Sequence, residues 1–249
     1  MPPRSVSPVL LLALLPAGLA AQKPPVPVTD APPPPEYRSP AELGTVGGRL
    51  VLALPTGEFK RYVSAGGGLD GFIDIGFGSE SPAGIRLDGT FILYGDERRT
   101  VPLSSTVNLV YVNVNTSNQI FSLGIGPRIA ARRGGLRPWV AGEIGFSYFW
   151  TSSSVAGTSS GEPFASSTNF DDLTFAWRAG GGLLVRLGHG RTPIYLDLAA
   201  SYLRNGSVSY LRPGSIDASV NPPVITPIRS ETNLWLVELG VAVGLVPKR

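Results

Sequence analysis

Between residues 44 and 246 the chain holds strand-like segments, separated by turn signals, in which apolar and polar side chains alternate with a period of two, the repeat of a β-strand whose two faces meet different surroundings. In the segment 65–78, Leu69, Ile73, Ile75 and Phe77 share one parity and Asp70 and Asp74 the other. In 83–95, Ile85, Leu87, Phe91 and Leu93 oppose Arg86, Asp88 and Thr90. Segment 137–150 sets Val140, Ile144, Phe146, Tyr148 and Trp150 against Ala141, Glu143, Gly145 and Ser147. Segment 172–188 sets Phe175, Trp177, Leu183, Val185 and Leu187 against Thr174, Arg178 and Arg186. The last, 231–246, sets Trp235, Val237, Leu239, Val241, Val243 and Leu245 against Glu238, Gly240, Ala242 and Gly244. With 46–54, 118–131 and 192–206, the pattern predicts eight strands, most of them with one charge-free face.

The connections alternate in length. Ser79 to Pro82, Arg132 to Leu136 and about His189 to Arg191 are short, whereas 55–64, 96–117, 151–171 and 207–230 are long and rich in Ser, Asn, Gly and Pro. Tight turns on one rim and long loops on the other predict an all-β fold, an eight-stranded antiparallel up-and-down transmembrane β-barrel with short periplasmic turns and long extracellular loops. An eight-stranded interior is just wide enough for side chains to fill it, so the parity of small and charged residues suits the inside and that of Leu, Ile, Phe and Trp suits lipid. The reverse arrangement, a soluble lipocalin-like barrel with an apolar calyx, is the alternative the pattern leaves open. Tyr148, Trp150, Trp177, Tyr202 and Trp235 all fall toward the long-loop ends of their strands, where an interfacial aromatic girdle would sit. The run Val107 to Asn115 alternates in phase toward the fourth strand. It is either a strand that protrudes past the membrane, exposing an edge to a partner, or a loop folded over the barrel mouth.

Composition adds limits. The 249 residues carry 31 Gly and 24 Pro, only 16% charged residues, no Cys and a single His, His189. Disulfides, thiolate or His-cluster metal sites and a lipid anchor on Cys are excluded, and no cofactor is expected. The net charge of +3 is not gathered into a basic tract, which gives no footprint for nucleic acid. Arg4, the apolar run Val9 to Leu15 and the small residues Gly18, Ala20 and Ala21 read as a secretory signal peptide over 1–21. The Pro-rich stretch that follows, 22–43, reads as an extended periplasmic tether, and 44–249 as the barrel.

By parity the lumen holds Arg49, Arg86, Arg128, Arg178 and Arg186 with Asp70, Asp74, Asp88, Glu143, Asp197 and Glu238, a nearly neutral set. Charges in a narrow, partly desolvated interior persist when paired, so this set predicts a salt-bridged plug; a selective channel would favour one sign. Glu143, Arg178, Glu238 and Asp70 are expected to share one central cluster. Other motifs give way to the strand pattern. Gly66-Gly-Gly-Leu-Asp-Gly71 matches a dinucleotide fingerprint but lies inside a strand, and Arg86 stands where the Leu87-Asp-Gly-Thr stretch would need a nucleophilic Asp. His189 reads as a solvated turn residue, and no His on the long-loop side is available as a catalytic base.

The stretches Gly48-Arg-Leu-Val-Leu-Ala-Leu-Pro-Thr-Gly-Glu-Phe59, Leu123-Gly-Ile-Gly-Pro-Arg128, Arg137-Pro-Trp-Val-Ala-Gly-Glu-Ile-Gly-Phe146 and Ala179-Gly-Gly-Gly-Leu183 resemble the small outer-membrane β-barrel proteins of the OmpA, OmpX and OmpW type. The closing Val246-Pro-Lys-Arg249 departs from the aromatic ending of such barrels. The resemblance implies export to the outer membrane of a Gram-negative-type bacterium, with outer-membrane lipid as a partner. Enzymes among such barrels imply a His at the lipid-facing outer rim, which this chain lacks. The expected function is therefore non-enzymatic: a structural or surface-interaction barrel that meets an extracellular partner through its loops. A small-solute or hydrophobic-compound channel is the alternative.

Overall fold

The structure, a computed structural model, describes residues 42–78, 81–102, 111–158, 162–188, 190, 192–211, 215–217 and 224–247. The signal peptide, nearly all of the tether and His189 lie outside them.

Eight strands close a ring: β1 (Gly44–Pro55), β2 (Gly66–Gly76), β3 (Ala83–Pro102), β4 (Tyr111–Ala130), β5 (Leu136–Gly157), β6 (Pro163–Arg186), β7 (Ile194–Asn205) and β12 (Leu234–Leu245). Each pairs antiparallel with its chain neighbours, and β1 closes on β12, with Gly44 opposite Leu245 and Pro55 opposite Leu234. Four short strands lie between β7 and β12: β8 (Ser207–Tyr210) pairs with β11 (Ile228–Glu231), and β9 (Ile216–Asp217) with β10 (Val224–Ile225). Among the described residues no helix is long and apolar enough to cross a membrane.

The period-two pattern sorts the side chains as the register requires. Leu50, Leu69, Ile75, Phe77, Val140, Ile144, Phe175 and Leu239 point outward and are about half exposed or more, while Arg49, Asp70, Asp74, Arg86, Asp88, Glu143, Arg178, Asp197 and Glu238 point inward and are buried. The soluble alternative is thereby excluded, because it would turn these charged residues outward to water and bury the outward apolar ring. A ring of exposed Leu, Ile, Val and Phe far exceeds the apolar patches that water tolerates on a soluble protein, and hydrocarbon is the solvent that fits it. Arg at Leu239, in the middle of β12, is accordingly expected to cost about 2 to 4 kcal/mol in vesicles, whereas Thr158→Arg, beyond the end of β5, should be nearly neutral. Urea unfolding of both variants checks this; equal tolerance would reverse the face assignment.

Four strands are longer than the sequence pattern indicates. β3 and β4 have 20 residues each, β5 has 22 and β6 has 24, against the roughly 9 to 11 that a tilted transmembrane strand needs. Residues 96–102, 111–117, 151–157 and 163–171, expected in loops, are paired strands instead. Of the two arrangements open for the approach to the fourth strand, the structure shows a strand from Tyr111 onward, but it is paired with β3 on one side and β5 on the other and so exposes no edge of its own; 103–110 lie outside the described residues. Ser, Thr and Asn there are ladder partners rather than loop formers. Thr100 donates to Asn113 at 2.8 Å, Arg98 to Asn115 at 2.8 Å and Thr151 to Asn118 at 2.7 Å, and the Thr116 and Ser153 hydroxyls lie 2.8 Å apart. Polar cross-strand pairs of this kind hold a sheet that has left the apolar layer. β2 accompanies β3 only to Leu93, so beyond that point the outer edge of β3 has no barrel strand beside it.

Candidate functional site

The lumen is filled at three heights. The middle layer forms where inward positions of six strands meet. Arg49 on β1 pairs with Asp70 at 2.5 Å, Asp88 at 2.7 Å and Glu238 at 2.7 Å, and lies 3.8 Å from Asp197. Arg178 on β6 pairs with Asp70 at 3.2 Å and with Asp88 and Glu238, and donates to Ser201 at 2.8 Å and Thr90 at 3.0 Å. The two guanidinium groups thus share the same three carboxylates. Glu143 is buried directly across the β5–β6 pair from Arg178, but the ion pairs of Arg178 run to Asp70, Asp88 and Glu238. A fork of fixed donors matches several carboxylates at once, which is why arginine serves here and lysine would not.

Two inward aromatic rings support this layer, and the sequence reading missed both. Arg86 lies between Phe72 and Trp139, with its guanidinium 4.3 Å and 4.0 Å from the two ring centroids. Arg49 stands 4.6 Å from the Phe72 ring, and the Trp139 indole donates to Asp197 at 3.2 Å. Stacking of guanidinium on aromatic faces stabilises a desolvated charge without a counter-ion. Glycine makes room for the rings: a Cβ at Gly47 would lie 2.6 Å from the Phe72 ring, and one at Gly182 would lie 2.8 Å from that of Trp139. Gly47→Val is expected to overpack this site by about 1 to 3 kcal/mol, measured against the outward-facing control Gly48→Val, which should cost less. Parity was the available signal, since Phe72 sits between Asp70 and Asp74 and Trp139 between Arg137 and Ala141.

The floor, on the short-turn side, joins Arg86 to Asp74 at 2.7 Å and Arg137 to Glu42 at 2.9 Å, and Tyr195 donates to Glu42 at 2.7 Å. Glu42 and Leu43, which the sequence reading places in the tether, belong to the barrel: the Glu42 carboxylate is buried inside, and the Leu43 N–H donates to Leu245 at 2.8 Å. Arg128 lies on this level near Asp74, whereas Arg186 is half-buried at the rim, where its Nε donates to the Gly188 carbonyl at 3.1 Å.

The upper layer is apolar. Phe59, from a 3₁₀ turn (Phe59–Arg61) between β1 and β2, and Val208 and Tyr210 of β8 fold inward and pack with Val51, Ile92, Tyr94, Ile120, Phe149, Leu203, Leu234 and Leu236. The Phe59 ring meets Tyr94 at 5.5 Å and Tyr210 at 5.1 Å in edge-to-face contacts. The segments 55–64 and 207–230, expected as outward-presented loops, therefore place these side chains in the barrel mouth. Beneath them a polar row runs from Ser122 through Ser147 to Asn205, with steps of 2.7 Å. Cavities of about 20 Å³ at the floor and 10 Å³ beside Asp88 and Glu143 have room for roughly a water molecule each.

On the outer face the five aromatic residues form two groups. Trp177, Tyr202 and Trp235 make a chain with ring distances of 6.1 Å and 5.2 Å, and Tyr148 stacks on Trp150 at 5.4 Å. Among the described residues no cluster of His, Cys, Asp and Glu has the arrangement of a metal site.

No family model and no curated protein matches the sequence. Among solved structures the chain is similar to neisserial surface protein A, with 13% identity over 81% of this chain and 96% of that one and a TM-score of 0.45. It is similar to Ail, the attachment invasion locus protein of Yersinia pestis, with 12% identity, 81% and 99% coverage and a TM-score of 0.42. A third is the N-terminal β-barrel domain of Pseudomonas aeruginosa OprF, with 12% identity, 81% and 99% coverage and a TM-score of 0.33. By its own strand order, outward apolar ring and charged interior, the chain has the fold of the small eight-stranded outer-membrane β-barrels.

Proposed function

We propose that this protein is a non-enzymatic barrel of a Gram-negative-type outer membrane, exported by its N-terminal signal peptide, closed to solutes and active as a surface-interaction protein. The carrying observation is the long hairpins of β3 to β6, which raise a four-stranded polar sheet on one side of the barrel only. Such an extension has no role in sealing the lumen, which the ionic and apolar layers already fill. Beyond Leu93 its β3 edge, unpaired among the described residues and with Arg98 and Arg99 exposed, offers backbone groups to an extended segment of an extracellular protein. Trp177, Tyr202, Trp235, Tyr148 and Trp150 serve in this reading as the belt that sets the height of the sheet above the lipid. The pores required by a solute channel are opposed by the filled lumen.

The test is adhesion of cells that display the protein. Shortening both hairpins, with residues 98–115 and 152–168 each replaced by a two-residue turn, is expected to abolish binding to immobilised extracellular-matrix protein while the barrel keeps its heat-modifiable gel migration. Unchanged binding by the shortened, folded barrel would refute the surface role.

A further inference from the structure

The barrel floor carries more guanidinium than its acids can use. Arg86, Arg128, Arg132 and Arg137 meet there with Asp74 and Glu42 as their carboxylates. Asp74 is occupied: Arg86 reaches both its oxygens at 2.7 and 3.1 Å, and Thr45 donates to Oδ2 at 2.7 Å. Glu42 is occupied by Arg137 and Tyr195. Arg132 directs its donors to the carbonyls of Ser81, Gly78 and Glu42 at 2.5, 3.1 and 3.5 Å. Arg128 is left over. Its Nε lies 3.4 Å from Asp74 Oδ2, and both Nε and Nη2 are buried with no hydrogen-bond acceptor. The Trp139 ring, 5.5 Å from its guanidinium carbon, offers only a distant aromatic face.

A guanidinium cannot shed its proton, so burying its donors unpaired is costly, and an anion is the ligand that cancels both the charge and the unmet hydrogen bonds. The space for one exists. The floor cavity of about 20 Å³ is lined by Arg128, Arg132, Arg137 and Thr45 together with the two occupied carboxylates. That volume is of the order one water molecule needs, and a single halide is the anion closest to it in size. Pro82, Ala131 and Arg132 of the short turns form part of its wall, so the ion arrives from solvent on that rim without crossing the ionic layer. One level higher the balance is reversed, with Arg49 and Arg178 facing Asp70, Asp88, Asp197 and Glu238, and an anion gains nothing there.

We propose that the floor cavity binds a halide anion, chloride under physiological conditions, held by Nε and Nη2 of Arg128 within the surplus charge of Arg132. The experiment has a crystallographic and a solution arm. Crystals of the wild-type protein grown in bromide should show an anomalous peak in the cavity, within hydrogen-bonding distance of Arg128. In detergent, exchanging gluconate for chloride at constant ionic strength should raise the unfolding midpoint of the wild type, and Arg128→Gln should lose that shift while keeping its heat-modifiable migration. If Arg128→Gln does not fold, Arg128→Lys, which keeps the charge without the fork, should need about tenfold more chloride for the same shift, the loss of about 1.4 kcal/mol of binding. A cavity without an anomalous peak, or a chloride shift equal in wild type and variants, overturns the assignment.

Discussion

Replacing Arg178 by Ala is expected to destabilise the barrel by about 3 to 5 kcal/mol, the cost of breaking a buried ion pair from one side. Arg178 holds Asp70, Asp88 and Glu238 at once, and its loss leaves those carboxylates with Arg49 as their one ion-pair partner among the described residues, beside the Thr90 and Ser201 hydroxyls. Uncompensated charge in a desolvated lumen either unfolds the barrel or draws water in. The double replacement Arg178→Ala with Asp88→Ala should lose less than the two single changes added together, by about 0.5 to 3 kcal/mol, because the second change removes a charge that the first stranded. Urea unfolding in lipid vesicles, followed by tryptophan fluorescence, measures all three. Strict additivity would mean that the layer is a collection of independent solvated charges.

Phe59→Ala should have an effect of similar size in a different place. Phe59 is fully buried between Tyr94 and Tyr210, and removing a buried Phe side chain costs about 3 to 5 kcal/mol. The strand ladders do not pass through it, so the loss is expected as local opening of the cap rather than as global unfolding. Hydrogen exchange at Val208 and Tyr210 and proteolysis near Tyr62 should accelerate, while the ionic layer stays protected. Protection unchanged at β8 would show that the cap does not depend on this ring.

What the sequence disclosed and what it hid have the same origin. Alternation placed Asp70, Asp74, Arg86, Asp88, Glu143, Arg178, Asp197 and Glu238 on inward parities, because a strand has one side-chain period whatever its neighbours are. It gave no depth. Ile92, Tyr94, Leu234 and Leu236 share that inward parity and are apolar, and only the folded chain shows that they meet Phe59 and Tyr210 from loops distant in sequence. Composition misled at the hairpin tips, where Ser152, Ser153, Asn113 and Asn115 read as loop residues yet pair as strand, a preference set by partners rather than by the residue alone. Glu42 follows a proline-rich stretch and looked like part of it. Its role in the floor depends on Arg137 and Tyr195, far along the chain, which no local pattern discloses.

Planar-bilayer recording of the refolded wild-type protein tests the closed lumen most directly. In the proposed reading the ionic layer shared between Arg49 and Arg178 and the Phe59, Tyr94 and Tyr210 rings above it close the lumen, so the wild type is expected to be nearly silent. Arg178→Ala should then raise the conductance above that baseline. Steady ohmic current through the wild type, with Arg178→Ala changing only its ion preference, would contradict the plug and make the barrel a channel.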